Sequence, residues 1–391
     1  MKVAYILSAT VPNGGATKAF ANLLEELEAR NVHPFVVVPD GGGIAQDLAK
    51  RNVPLLVCTY RPSSYPHART LKEKLLFLPR LLVRLLVNAK ASRQVEAFLQ
   101  RHEIELVHTN SGTIRIGFDA AQRVGLPHVY HIREYGALDF GIRYFPTKKV
   151  FLRQLEAKES YSICITKDVQ RYFHQQKNSS SKVIYDGVFP AMPTMPSAER
   201  KNYFLYAGRI QPAKGLDQLL KAYELYVQRA EQPLLLKVAG SRTNSPYCQE
   251  QFDFVAAHHL EDRVEFLGEC DDIAGIMRQA RALIIPSPNE GFGFCMPEAM
   301  QQGCLCIGRN TGGTKEQLDN AVELTGKEIG LRYETVEELA ELLCKVGSGQ
   351  VSGEDACRQR AFSVVNQLYS RHVHAKKVYE FYEEILSKKR C

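Results

Sequence analysis

Two cations and two acids stand out by type and spacing. Arg209 and Lys214 flank the turn in "AGRIQPAKG", residues 207–215, and Glu290 and Glu298 stand at either end of "EGFGFCMPE", inside "NEGFGFCMPEAMQQG", residues 289–303. Arginine grips a pair of oxyanions bidentately and lysine acts as a compact charge, so the first pair suits a diphosphate. Standing alone, it would read as a solvated basic turn. Glu290 lies among Gly291 and Gly293, where a helix is disfavoured. A carboxylate in a glycine-rich loop beside a cationic site is a good acceptor for sugar hydroxyls, and amides at Gly291, Gly293 and their neighbours can donate to the same ligand. Pro297 fits the first position of a helix. The stretch therefore predicts a loop from Asn289 to Met296 and a helix from Pro297 to Gly303, with Glu298 in its first turn, where the helix dipole alone would favour an acid. A third feature is Gly14-Gly15 in "VPNGGATKAF", residues 11–20. Glycine there lets the backbone approach a ligand, and the following helix offers N–H groups to an anion. The pattern is not GxGxxG, so it argues weakly for a dinucleotide, and Gly-Gly before a helix also serves as a plain tight turn.

All three features fall on strand-to-helix junctions of an alternating chain. Residues 2–8, 34–40, 53–58, 104–110, 127–132 and 161–166 read as strands, with helical patterns such as Lys18 to Arg30 between several of them. A second series follows at 202–208, 234–240, 263–268, 282–287 and 304–308, with helices at Gly215 to Arg229 and Ile273 to Arg281. Continuous apolar strands separated by helices predict parallel sheets covered on both faces. The expected fold is α/β, two doubly wound Rossmann-like domains facing a cleft, with ligands beyond the carboxyl ends of the strands. The first domain spans 1–186. The proline-containing, aperiodic stretch 187–202 reads as a linker. The second domain spans 203–369, and a helix over about 370–391 is expected to pack back on the first. Tyr379, Tyr382 and Leu386 can share one face of it.

Composition bounds the rest. The chain has 391 residues, 45% hydrophobic and 24% charged, with a net charge of +7, a mild excess that favours anionic partners without naming one. No interleaved aromatic and basic stripe argues for nucleic acid. The ten cysteines include no CxxC; the nearest pair is Cys304-Leu305-Cys306, so scattered buried thiols in a reducing compartment are expected rather than a zinc site. "MKVAYILSAT" runs straight into a turn and helix and reads as a first strand rather than a secretory signal. No segment reaches the ~18 apolar residues of a membrane span. The segment 71–94, "LKEKLLFLPRLLVRLLVNAKASRQ", mixes leucines with Lys72, Lys74, Arg80, Arg84, Lys90 and Arg93. It reads equally as an amphipathic helix on an anionic membrane surface or as a core-facing helix with a solvated rim.

Taken together, "AGRIQPAKG", then "PSPNEGFGFCMPEAMQQG" and "TGGTKEQ", resemble the family-four retaining glycosyltransferases of the GT-B fold. The E-x7-E spacing is matched by Glu290 and Glu298. "VIYDGV" (183–188) resembles the hinge motif and "NGGAT" the N-terminal Gly-Gly loop. The resemblance covers nearly the whole chain, strongly in its C-terminal half and loosely in its N-terminal half. It implies that Arg209 and Lys214 clamp the diphosphate of a nucleotide-sugar donor and that Glu290 binds the donor sugar's hydroxyls. It further implies that amides around Phe292, Gly293 and Phe294 touch sugar and phosphate, and that Glu298 binds the ribose. Phe266 and Leu267 would lie beside the base, and Gly15 would meet phosphate. His131, at the end of "PHVYHIRE", would lie near the transferred sugar. Two departures stand out. The hinge usually reads Asn-Gly-Val-Asp, whereas here Asp186-Gly187-Val188-Phe189 stands; and "REYG" follows His131, which makes Arg133 and Glu134 candidates for acceptor recognition.

The implied reaction is sugar transfer with retention, without metal or other cofactor. The donor is a nucleotide sugar, uridine diphosphate being favoured over guanosine diphosphate. The acceptor is a glycan or a lipid-linked oligosaccharide, and the place is the cytoplasm or the inner membrane face. No Asp-x-Asp motif supports a metal-dependent design. Competing readings are a nucleotide-sugar epimerase or hydrolase on the same architecture and a non-catalytic sugar-binding protein. A nicotinamide dehydrogenase is distant, since no dinucleotide fingerprint is present.

Overall fold

The computed structural model describes residues 1–11, 14–66 and 70–390, residue 390 by its backbone only. The chain divides into two compact units: residues 1–187 with 371–391, and residues 188–370. Each is built on one parallel sheet.

The first unit contains β1 (Lys2–Ile6), β2 (His33–Val38), β3 (Leu55–Val57), β4 (Leu106–Thr109), β5 (His128–Ile132), β6 (Ser160–Cys164) and β7 (Ser181–Val183). They lie in the order β3-β2-β1-β4-β5-β6-β7, all parallel. The central strands are buried along their whole length, as expected where helices cover both faces. β1 pairs with β2 on one side and β4 on the other, so the strand order reverses there, and Gly14–Gly15 follow β1 at this switch point.

The C-terminal stretch does not form one continuous helix. Helix Glu354–Tyr369 ends at Ser370, which is extended and bridges to Phe189, and helix Arg371–Arg390 then begins. Ala375, Val378, Phe381, Tyr382 and Ile385 of the second helix join Val3, Tyr5, Leu7 and Leu24 in the core of the first unit, with Tyr379 and Leu386 packed at its edge.

The second unit contains β8 (Tyr203–Ala207), β9 (Leu235–Ala239), β10 (Val264–Gly268), β11 (Ala282–Ile285), β12 (Cys306–Arg309) and β13 (Leu331–Tyr333). The order is β10-β9-β8-β11-β12-β13, again all parallel. The reversal lies between β8 and β11. The proline-containing stretch 188–202 belongs to this unit. Met192 N donates to Asn366 Oδ1, Gln301 Nε2 to Pro190 O, and Arg200 to Gly303 O. The described cysteines are all free.

Segment 71–94 forms helices Leu71–Leu75 and Phe77–Arg101. Its basic residues divide. Arg84 turns inward and donates to Ser64, and Arg80 lies 3.9 Å from Glu73. Lys72, Lys74, Lys90 and Arg93 are exposed. Leu71, Leu75, Leu78, Leu82 and Leu85 form an outward stripe, with Leu75 and Leu78 more than 70% exposed. Among the described residues, no helix is long and apolar enough to cross a membrane.

Candidate active site

In the second unit the site forms at the β8/β11 reversal, where adjacent loops leave in opposite directions and open a crevice. Arg209 and Lys214 follow β8; Glu290 and Glu298 follow β11. Lys214 closes a short 3-10 turn, Pro212–Lys214, and Gly215 caps it at φ +69°. A side chain at Gly215 would strike the Pro286 carbonyl, so this glycine lets the lysine turn lie against the loop after β11. Lys214 Nζ sits 2.9 and 2.7 Å from the two carboxylate oxygens of Glu290. Both side chains are largely buried. Burial alone would lower the Lys214 pKa, but the adjacent Glu290 charge outweighs it and holds the ammonium above its ordinary value.

The glycine-rich loop is built around Glu290. Gly293 adopts φ +89°, and a Cβ there would crowd Glu290 Cγ at 2.8 Å. Gly313 N donates to Glu290 O at 2.7 Å, and Gln317 Nε2 donates to the carbonyls of Phe292 and Gly293. These two residues explain "TGGTKEQ": it fixes the loop from behind. Phe292 points its ring into the interior against Tyr369 and Phe294, leaving its backbone as the part able to meet a ligand.

The helix after this loop starts earlier than its sequence suggests. It runs Cys295–Gln301, so Pro297 is its third residue rather than its first. The N–H groups of a helix's whole first turn lack intrahelical partners, so proline is tolerated there too. Glu298 remains in the first turn. On the far side of β8, Phe266 packs on Phe252 with ring centroids 4.3 Å apart, and Arg242 lies over both rings.

In the first unit Gly14 caps helix Gly15–Glu28 without any side-chain hydrogen bond, so the helix presents backbone N–H groups. Pro12 and Asn13 of the same motif lie outside the described residues. Asn110, just after β4, donates from Nδ2 to Ala16 O at 3.0 Å and accepts from Arg133 Nε at 2.9 Å. It therefore ties the glycine turn to the end of β5. Residue type alone does not signal this role, since an asparagine after a strand is common in turns.

His131, Arg133 and Glu134 are all buried. His131 has no exposed surface; its Nδ1 meets His108 Nε2 at 3.2 Å and Arg133 Nη2 at 3.1 Å. Its ring also faces that of His374, with centroids 5.8 Å apart. Arg133 pairs in turn with Asp186. The two departures from the family pattern thus meet: a buried guanidinium is matched by a carboxylate where the motif usually carries asparagine. Glu134 accepts from Ser111 Oγ. Arg133 and Glu134, the expected acceptor contacts, are both engaged by partners within the first unit.

Among the described residues, His131, Asp186 and His374 form one buried group with ligand-type atoms within 4.8 Å of one another. The imidazoles lie 3.7 and 3.8 Å from Asp186 Oδ1, too far to hydrogen-bond to it. Burial, then the Arg133 charge, keeps His131 and His108 well below their ordinary pKa; burial lowers His374 to about 4 even though Asp186 opposes it. The rings are neutral, but Arg133 already holds the cation's place at Asp186.

Comparison with known proteins accords with this layout. A glycosyl transferase 4-like domain model matches residues 14–182, within the first unit, and a glycosyl transferases group 1 model matches residues 192–361, within the second. The chain belongs to the family-four-like glycosyltransferases. Among relatives in this family, an uncharacterised glycosyltransferase of Bacillus subtilis, YqgM, is 35% identical over 38% of this chain and 40% of its own length. N-acetyl-alpha-D-glucosaminyl L-malate synthase of Bacillus anthracis is 28% identical over 37% of each chain. The chain thus spans about two fifths of the length of these two relatives. The crystal structure of Anabaena HepE, solved with UDP, superposes over 98% of this chain and 100% of its own at a TM-score of 0.75 and 18% identity, which establishes a shared GT-B fold.

Proposed function

We propose that this protein is a retaining, metal-independent glycosyltransferase. It moves a sugar from a nucleotide-diphosphate sugar to a glycan or lipid-linked acceptor in cell-surface polysaccharide synthesis. The observation that carries this reading is the Lys214–Glu290 pair at the β8/β11 reversal, with Glu298 in the following helix. Arg209 and Lys214 hold the diphosphate, Glu290 the sugar hydroxyls and Glu298 the ribose. Backbone amides of residues 291–294 and the uncapped helix start at Gly14–Gly15 serve the sugar and phosphates. Phe266 and Leu267 flank the base. A uridine nucleotide is favoured, in keeping with the HepE structure holding UDP and glucose.

In this reading the acceptor oxygen bonds to the anomeric carbon on the face from which the diphosphate oxygen departs, and the hydroxyl proton leaves with the diphosphate. Negative charge grows on the leaving group, and the cations with oriented N–H groups stabilise it. His131 supports Arg133 and acts as a positioning residue. Peripheral docking on the inner membrane face through residues 71–94 completes the proposal, with the outward leucines in the headgroup layer and the exposed lysines at its rim.

The discriminating experiment incubates the protein with labelled UDP-sugars, with and without a pool of glycan and lipid-linked acceptors. A transferase yields labelled acceptor. Free sugar or an epimer formed equally well from donor alone would replace this reading with hydrolase or epimerase chemistry.

A further inference from the structure

The glycine-rich loop turns a run of carbonyls toward a single helix. Helix Gly312–Thr325 follows β12, on one side of β11, whereas the turn bearing Arg209 and Lys214 follows β8, on the other. Gly313 N donates to Glu290 O, and a Cβ at Gly313 would meet the carbonyl oxygens of Gly291 and Phe292 at 2.8 and 2.7 Å. Gln317, 1% exposed, donates from Nε2 to the carbonyls of Phe292 and Gly293, the second at 3.3 Å. One amide nitrogen carries both donors. Gln317 Oε1 has no partner among the described residues. A buried acceptor left unmade is costly. A leucine would fill the same space without that cost, so what this glutamine adds is its pair of N–H donors.

We propose that Gln317 is a positioning residue for sugar transfer: by holding these two carbonyls it aims the N–H groups of Gly293 and Phe294 at the donor's diphosphate. The inference rests on the donor reading given above. In a planar trans peptide the N–H points opposite to the C=O. The carbonyl of Phe292 shares its peptide with the N–H of Gly293, and the carbonyl of Gly293 shares its peptide with the N–H of Phe294. With both carbonyls drawn to Gln317, both N–H groups face away from that helix, on the β8 side where the two cations arise. Gly293 adopts φ +89°, and Phe294 the right-handed conformation at φ −57° and ψ −36°. Left-handed and right-handed residues in succession turn neighbouring N–H groups into a cup that suits an anion. Among the described residues, no protein acceptor takes either N–H. As charge grows on the departing diphosphate, N–H groups already aimed at it stabilise it. A peptide released by Gln317 can flip and present its carbonyl oxygen to the anion instead.

The test is nuclear magnetic resonance of the whole chain, isotope-labelled at its glycine and phenylalanine amides and titrated with UDP. In the native chain the Gly293 and Phe294 amide protons are expected to move downfield as UDP saturates the site. Gln317→Leu removes both donors, and Gln317→Glu does so at nearly constant size. Each is expected to lose these two shifts and to bind UDP about tenfold more weakly, the order of one hydrogen bond to a charged group. The remaining glycine and phenylalanine signals, unmoved by the substitution, show that the fold is kept. UDP that binds the native chain without moving these two protons overturns the proposal, whether or not the variants fold. Equal shifts or equal UDP affinity in native and variant chains overturn it too. Failure of UDP and GDP alike to bind the native chain overturns the donor reading itself.

Discussion

At the scale of single residues, the first unit buries more charge than a small polar site requires. Glu134 is the clearest case. Burial raises its carboxyl to about 7, against the lowering effect of the Ser111 hydrogen bond. Between its ordinary value and about 7, the folded chain holds a proton that the unfolded chain has released. Stability therefore falls as pH rises through that window and stays lower above it. Glu134→Gln keeps an oxygen for Ser111 and removes the ionisation. The variant should melt higher than the native chain at pH 8 and close to it at pH 5. Equal differences at both pH values would show that Glu134 titrates normally.

At the scale of elements, Arg133 joins the end of β5 to Asn110 after β4 and to Asp186, next to the point where the chain leaves the first unit. His374, on the helix where the chain returns, stands 3.8 Å from the same carboxylate. Removing one partner of such a pair strands the other, at a cost of about 3–5 kcal/mol, whereas replacing both by apolar residues of similar volume costs far less. Denaturant melts should therefore show Arg133→Met strongly destabilised and Arg133→Met/Asp186→Leu substantially recovered. A double variant as unstable as the single one would contradict the pairing.

Elements also show what a sequence reveals. Long apolar strands such as "HPFVVV" and helices such as Leu216–Arg229 announce themselves by period, and the four charged residues Arg209, Lys214, Glu290 and Glu298 announce themselves by spacing. β7 and β13 were not legible. Each is three residues long at a sheet edge, too short for a pattern and buried on fewer sides. The break at Ser370 carries no proline or glycine, so period alone does not mark it, although the expected helix start near 370 coincides with it. His131 and Arg133 were legible as residues of interest, but their burial was not, because it depends on His108, Asp186 and His374 arriving from distant parts of the chain.

At the scale of the whole molecule, each unit has its own sheet and core, and the chain crosses between them at residues 187–188 and 370–371. The unit carrying Gly14–Gly15 also carries the outward leucine stripe. Leu78, Leu82 and Leu85 recur at spacings of four and three on helix Phe77–Arg101 and are exposed, while Arg84 of the same helix turns to Ser64. Sedimentation with vesicles should show the protein binding phosphatidylglycerol-containing membranes, with loss of binding in Leu78→Glu/Leu82→Glu and weakening at high salt. Equal recovery of native and variant protein in the supernatant would remove the membrane from the account.

The central claim is that the second unit holds a nucleotide-sugar donor between Arg209, Lys214, Glu290 and Glu298. A thermal-shift screen against UDP- and GDP-sugars tests it most directly, because a ligand that binds only the folded chain raises its melting temperature by mass action. The account predicts a saturable rise with at least one UDP-sugar, lost in Glu290→Ala. No rise with any UDP- or GDP-sugar, or an undiminished rise in that variant, would contradict it.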